Sequence, residues 1–238
     1  EMENTLAPLL RRPHLEGEDL IHVVVELARL QDQVERLHRF FLRVGQPVAD
    51  RETTSTLDAM VNNLQALAQR VALSLGKQVA LTARLPEGGL PPEVERALRE
   101  ALPQLVRNAV VHGIELPHER EQLRKPPTGA LRLDIGHATD GSIEVRLSDD
   151  GRGIVVPHLR ERIAQLRGDA AQLSDQQVLG HIFDPHFTTA TEVTEHAGRG
   201  VGLSLVRQVA EKAGARLKVL TQPQVSTQFV LRFGAGSA

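Results

Sequence analysis

Apolar side chains recur along this chain at two different periods. Leu20, Val23, Leu27, Leu30, Val34, Leu37, Phe41 and Val44 alternate spacings of three and four residues. A seam of that kind, held over more than three heptads, buries one helix face against partners. Glu26, Arg29, Asp32, Gln33 and Arg36 fill the polar side, and Gly45-Gln46-Pro47 stops the helix. Leu57, Val61, Leu64, Ala68, Val71 and Leu75 repeat the pattern behind the N-cap hydroxyls of Thr53, Thr54 and Ser55, with Gly76 as the stop. Two such helices predict an antiparallel helical hairpin domain over residues 1–76. One hairpin leaves apolar surface uncovered. Two destinations stay open for it: a four-helix bundle in a homodimer through residues 18–75, or the chain's own downstream domain.

Beyond residue 77 the elements alternate. Val79–Thr82 reads as a short strand, and a helix over 91–112 starts at Pro91-Pro92 with Val94, Leu98, Leu102, Leu105 and Val106 on one face. Residues 131–135 and 143–147 alternate apolar and polar positions around Asp140-Gly141, which predicts a β-hairpin. Helices near 156–166, 175–182 and 201–213 follow, then strands near 215–221 and 226–233. The succession predicts an α/β two-layer sandwich with a mixed, largely antiparallel sheet as a second domain, residues 77–238.

Composition narrows the chemistry. Among 238 residues, 41% apolar side chains and 24% charged ones fit a globular chain and exclude a disordered one. The 28 basic against 30 acidic groups leave a formal charge of −2, without the whole-domain basic signature of a nucleic-acid binder. Zero cysteines exclude disulfides, zinc–thiolate sites and thiol catalysis. No apolar run approaches a bilayer span and no signal peptide opens the chain, so the expectation is a cytoplasmic protein without direct membrane insertion. The chain starts at Glu1, which reads as a fragment or a processed product. Aromatic residues make up only 3%, six Phe with no Tyr or Trp, so a nucleotide site here must recognise its ligand through polar groups.

Three clusters supply such groups. In the first, Gln104, Asn108 and Val111–His112 sit three or four apart and share a helix face. An Asn there can offer an amide oxygen to Mg²⁺, a hard cation that prefers oxygen ligands; a surface Asn near a helix end is the plainer reading. The second, Asp149-Asp150-Gly151-Arg152-Gly153-Ile154, follows an alternating strand. A carboxylate at a strand end can accept a hydrogen bond from an exocyclic amine, while glycines let backbone approach a ligand; a tight turn would look the same. The third, Gly198-Arg199-Gly200-Val201-Gly202-Leu203, runs into a helix N-terminus, where unpaired N–H groups and the positive dipole end favour phosphate.

Taken together, in this order and spacing, the clusters resemble the N, G1 and G2 boxes of the GHKL ATPase superfamily. The segments LVRNAVVHGIELPHEREQLRKPPTGALRL, LSDDGRGI and IFDPHFTTATEVTEHAGRGVGLSLV resemble the CheA-type histidine kinases, and LAQRVALSLGKQVAL is similar to the join between their dimerisation helices and kinase domain. The likeness spans roughly residues 57–233. It implies a Bergerat-type sandwich that binds ATP with Mg²⁺ and transfers the γ-phosphate to a histidine in two-component signalling. Carried over by position, it implies that Asn108 binds Mg²⁺, His112 lies near the phosphates, and Asp149 receives the adenine amine between Gly151 and Gly153. Phe183 and Phe187 match the box that anchors the ATP lid, residues 188–199 the lid itself. Gly198, Arg199, Gly200, Gly202 and Leu203 would close around the triphosphate, and Thr227 would stand near the adenine.

Four departures bear on activity. Gln104 holds the position where hydrolysing members carry a Glu that activates water and CheA-type kinases carry His; its amide takes no proton at neutral pH. Val111 replaces an Asp, Ala190 replaces a Lys, and Gln224-Val225-Ser226-Thr227 replaces a Gly-x-Gly-Thr turn. The resemblance therefore implies a protein-histidine kinase core, with a degenerate ATP-binding signalling module as the alternative. His22 and His38 lie on the first helix, but Val23 and Arg39 follow them where an acidic residue would mark an acceptor. The expected partners are a histidine-phosphotransfer domain or response regulator, and an upstream sensor module.

Overall fold

The computed structural model describes residues 56–167, 170–184 and 202–234. The first periodic helix with His22 and His38 lies outside the described residues, as do Phe187, the stretch 188–199 with Ala190, and Gly198, Arg199 and Gly200.

Helix α1 spans Thr56–Ser74 and buries Leu57, Met60, Val61, Leu64, Ala68 and Ala72 along one stripe. That face packs on helix α2, Pro92–Asn108, and on the edge strand β1, Val79–Arg84. Gln65 Nε2 donates to the Leu81 carbonyl of β1 at 3.1 Å, so the helix also satisfies part of the free sheet edge. The Lys77 and Gly76 amides bond back to the Ala72 and Leu73 carbonyls, a Schellman ending at the glycine the sequence marks as the stop. Helix α1 lies in the same compact unit as the sheet.

The sheet has five strands in the order β1-β2-β3-β5-β4, with β2 Gly129–His137, β3 Ile143–Asp149, β4 Ala215–Gln222 and β5 Ser226–Phe233. Only β1 and β2 run parallel; every other neighbour is antiparallel. The mixed two-layer sandwich expected from the sequence is the fold observed. Strand alternation explains the layering: Leu131, Leu133, Val145, Leu147, Phe229 and Leu231 are all essentially inaccessible and line the helical face. Arg132, Asp134, Arg146, Gln228 and Arg232 occupy the alternate positions, on the opposite face.

Helix α2 carries the site. Val94, Leu98, Ala101, Leu102, Leu105 and Val106 bury its inner face, and it packs on α1 and on helix α6, Gly202–Lys212. The sequence predicts one α-helix to residue 112. Instead the chain widens after Asn108 into a π-turn over Ala109–Gly113, with the Ile114 amide bonding the Ala109 carbonyl at 2.8 Å. The remaining described helices are α3, Pro117–Gln122, which the periodicity does not announce, then α4, Val156–Arg167, and α5, Asp175–Gly180, with a 3-10 turn over His181–Phe183. No described helix is long and apolar enough to cross a membrane.

Candidate functional site

Gln104, Asn108 and His112 follow one another along one ridge of α2 and its π-turn, the first two half-buried and His112 exposed, and none of the three side chains has a hydrogen-bond partner among the described residues. An ideal Cβ built on Gly202 would lie 3.4 Å from the Gln104 amide oxygen, so this ridge abuts the first turn of α6. Gly202 thus stands beside Gln104, whereas Leu203 is half-buried against the core. His112 stands at the solvent edge. Partial desolvation, then the neighbouring Lys77 and Arg152 cations, hold its imidazole below the ordinary histidine value.

Asp149 closes the other side at the end of β3, 4% exposed. Its Oδ1 accepts from the Gly151 amide at 3.0 Å, and the backbone of Thr227, its cross-strand partner on β5, lies close enough to favour the ionised form. Burial pushes this carboxyl up to about 6, helped by the nearby Asp150 and Glu115 charges. Its carboxylate meets no cation among the described residues and has capacity left for another donor. The Thr227 side chain is buried beside it.

Two glycines fit this loop by close approach. A Cβ on Gly151 would fall 2.3 Å from the Gly113 carbonyl oxygen and 2.8 Å from Asp149 Oδ1. Gly153 has φ +64°, and a Cβ there would lie 2.3 Å from the Gln222 carbonyl oxygen. Between them, the Arg152 amide donates to Gly113 O at 2.9 Å and its carbonyl accepts from the Gln224 amide at 2.6 Å. The loop is thereby laced to the π-turn on one side and to the β4–β5 turn on the other.

Sequence reading gives no role to the charged residues that support this loop. Arg120 is fully buried; it donates to Glu115 at 2.8 Å, to Asp150 Oδ2 at 2.8 Å and to the Pro126 carbonyl at 2.6 Å. Lys125 Nζ reaches Glu115 at 2.8 Å and the Asp150 and Gly151 carbonyls at 2.9 and 2.8 Å. Burial alone would raise the Glu115 carboxyl, but the bonds from Lys125 and Arg120 hold it below its ordinary value. Asp150 Oδ1 in turn accepts from the Ala130 amide at 2.9 Å. One ionic cluster therefore fixes the backbone that follows Asp149. The only sequence trace of it is an acidic Glu115 followed at five-residue intervals by the basic Arg120 and Lys125, a mixture of charges that solvated segments share.

Lys77 is a second supporting residue that the sequence does not single out. Its Nζ donates to the Val110 and Val111 carbonyls at 2.8 and 2.7 Å, satisfying oxygens that the π-turn leaves free. Burial, with Arg152 beside it, lowers its pKa to about 8. Phe183 is buried edge-on against Phe229 with centroids 6.1 Å apart, and Arg207 of α6 lies over its ring at 5.8 Å. The same guanidinium donates to Asp184 at 2.8 Å, which ties the residue just before position 185 to α6 just after position 201. The replaced turn also has a consequence: Gln224 adopts φ +61°, a left-handed conformation that a glycine would hold without strain.

Comparison with known proteins identifies the family of this fold. Residues 93–236 match the family described as histidine kinase-, DNA gyrase B- and HSP90-like ATPases. The chain is 36% identical over 158 residues to the chemotaxis protein CheA of Cereibacter sphaeroides, covering 65% of this chain and 23% of that protein. It is 30% identical over 209 residues to a gliding motility regulatory protein of Myxococcus xanthus, covering 86% of this chain and 26% of that one. It thus spans about a quarter of the length of these relatives. The crystal structure of full-length ShkA in complex with AMPPNP shares the fold at TM-score 0.50 and 19% identity, over 99% of this chain and 42% of that one. The chain belongs to the histidine kinase-, DNA gyrase B- and HSP90-like ATPase family, with an ATPase domain of the CheA histidine-kinase type.

Proposed function

We propose that this chain is the core of a protein-histidine kinase, binding ATP with Mg²⁺ and passing the γ-phosphoryl group to a histidine on a separate phosphotransfer domain. The observation that carries the reading is the pairing of a polar row, Gln104, Asn108 and His112, whose side chains have no hydrogen-bond partner among the described residues, with a buried carboxylate that accepts from a backbone amide and meets no cation among them. The row suits the polyanionic end of a nucleotide. Asp149 suits the exocyclic amine of adenine, a donor that a guanine ring does not present at that position.

The donor set also fits Mg²⁺. Asn108 offers a neutral amide oxygen without a partner among the described residues, which also contain no cluster of three His, Asp or Glu side chains that would compete for the ion. Bound there, the ion would neutralise charge on the phosphates. Asn108 would hold it, His112 would lie along the phosphates, and the Gly198–Gly202 segment would supply amides to them. In the transfer, an imidazole nitrogen of the acceptor attacks the γ-phosphorus, the bond to the bridging oxygen breaks, ADP leaves and the imidazole proton goes to solvent. Positioning and charge stabilisation carry the rate, and no side chain here needs to act as the base. In the same proposal the dimerising segment lies within residues 1–76, residues 77–238 form the nucleotide domain, and a sensor module acts upstream in the cytoplasm.

Incubation of the chain with γ-labelled ATP·Mg²⁺ and phosphotransfer domains tests this reading. An acid-labile, base-stable phosphoprotein is expected. Gln104, an amide at the head of the row, favours one second reading: a module that binds ATP and changes partner contacts without phosphotransfer. ATP binding with no phosphoprotein for any acceptor would select it.

A further inference from the structure

The face of the sheet turned away from the helices has an uneven charge. Strand register places Arg84, Arg132, Arg146, Arg216, Lys218 and Arg232 on it, against Asp134 and Glu144. All six cations are exposed. Arg146 pairs with Glu144 and Arg232 with Asp140 on the hairpin turn, but Arg84, Arg132, Arg216 and Lys218 have no acidic partner among the described residues. This excess sits on a chain whose formal charge is −2, so the rest of the molecule is correspondingly acidic. No described element covers the face.

A concavity of about 480 Å³ opens beside these cations. Arg132, Ser148, Gln228 and Leu220 form its cross-strand row, one residue from each of β2, β3, β5 and β4. Leu220 is 38% exposed, an apolar spot among hydroxyl and amide groups that can bond a peptide backbone. Same-face positions on a strand recur about 7 Å apart, so Arg216 and Lys218 repeat at the spacing of alternate side chains on an extended segment laid along β4. No aromatic ring stands on this face: among the described Phe residues, Phe183, Phe229 and Phe233 are all buried on the helical side. Single-stranded nucleic acids use such rings as stacking platforms, so the surface fits carboxylates better than bases.

We infer that the open sheet face is a docking surface for an extended acidic segment of a partner protein, with its carboxylates on Arg132, Arg216 and Lys218 and an apolar side chain on Leu220. The segment would also touch Ser148 and Gln228, whose chain neighbours Asp149 and Thr227 face the nucleotide side. Asp149 and Asp150 line one end of the groove, Asp150 with its carboxylate bonded to Arg120, so the groove reaches the strand end assigned to adenine.

The probe is a fluorescein-labelled peptide of sequence EELEDLEE, titrated with the intact chain and read by anisotropy. Binding that weakens steeply with added salt is expected, with a loss of about tenfold or more in the double variant Arg132→Glu, Lys218→Glu. The control is Arg70→Glu with Lys212→Glu, the same change of charge on exposed residues of α1 and α6, and it should keep the wild-type affinity. Unchanged far-ultraviolet circular dichroism and ATP affinity in both double variants would show that the fold is intact. Equal peptide binding by wild type and the Arg132/Lys218 variant, or no binding by the intact chain, would overturn the proposal. So would an oligodeoxythymidylate of equal charge that binds as tightly and loses as much in the same variant, since it would mark a polyanion surface.

Discussion

Replacing Arg120 by Leu perturbs the support of the nucleotide loop without touching the residues that would meet the ligand. Arg120 is 0% exposed and its guanidinium serves Glu115, Asp150 and the Pro126 carbonyl at 2.6–2.8 Å. Removing it leaves Glu115, itself 3% exposed, with Lys125 as its remaining cation, and strips Asp150 Oδ2 of its donor. Breaking a buried ion pair from one side costs about 3–5 kcal/mol, and because Lys125 still faces Glu115 the lower end of that range is expected. At about 2–4 °C per kcal/mol for a chain of this size, the melting temperature should fall by roughly 10 °C. With no Trp or Tyr in the chain, the assay is urea unfolding followed by circular dichroism. Arg120→Lys keeps the charge but loses the fork, and should cost less than Arg120→Leu. Adding Glu115→Gln to Arg120→Leu should restore part of the loss, since the buried carboxylate then no longer depends on Lys125 alone. A cost below about 1 kcal/mol for Arg120→Leu, the range of an exposed pair, would refute the reasoning.

Gln224→Gly should stabilise the chain by about 1 kcal/mol in the same urea assay, because it relieves the left-handed φ; a loss of stability would show that the turn is not strained. The Asp149 carboxyl, raised from 3.8 to about 6 by burial, favours the folded state when protonated. Its contribution is complete below about pH 4 and falls by up to about 3 kcal/mol as pH rises through 6. Asp149→Asn should remove that slope from the pH profile of unfolding. Lys77→Met frees the Val110 and Val111 carbonyls and should weaken ATP·Mg²⁺ binding by about tenfold through the displaced His112 turn, while leaving the far-ultraviolet spectrum unchanged. Equal affinity would confine Lys77 to a surface role.

What the sequence made legible follows from how local each signal is. The β2–β3 hairpin is written in strict alternation around Asp140-Gly141, and α2 in Pro91-Pro92 followed by an apolar stripe; both appear where periodicity puts them. The π-turn after Asn108 was not legible, because it depends on the Lys77 ammonium and the packing of Gly113 on Asp149, contacts distant in sequence. Arg120 is hidden for the same reason: a buried arginine and a solvated one look alike until Glu115 and Asp150 are brought beside it. The seam of α1 predicts a buried face but not its destination, and in the structure Leu57, Val61, Leu64 and Ala68 of that seam lie against α2 and β1. Of the candidate site, Gln104, Asn108, His112, Asp149, Gly151 and Thr227 were readable as motifs. That the Asp149 carboxylate is buried beside Thr227 and bonded by the Gly151 amide, with no cation on it among the described residues, needed the β3–β5 register.

The central claim is that Asp149 reads the adenine of a bound nucleotide. Calorimetric titration of ATP·Mg²⁺ into the chain and into Asp149→Asn, above pH 7 where the carboxyl is ionised, tests it most directly. The account predicts saturable binding by the wild type, a loss of at least about tenfold in the variant, and no comparable binding of GTP by the wild type. Equal affinity of the two proteins for ATP, or of the wild type for ATP and GTP, would contradict it.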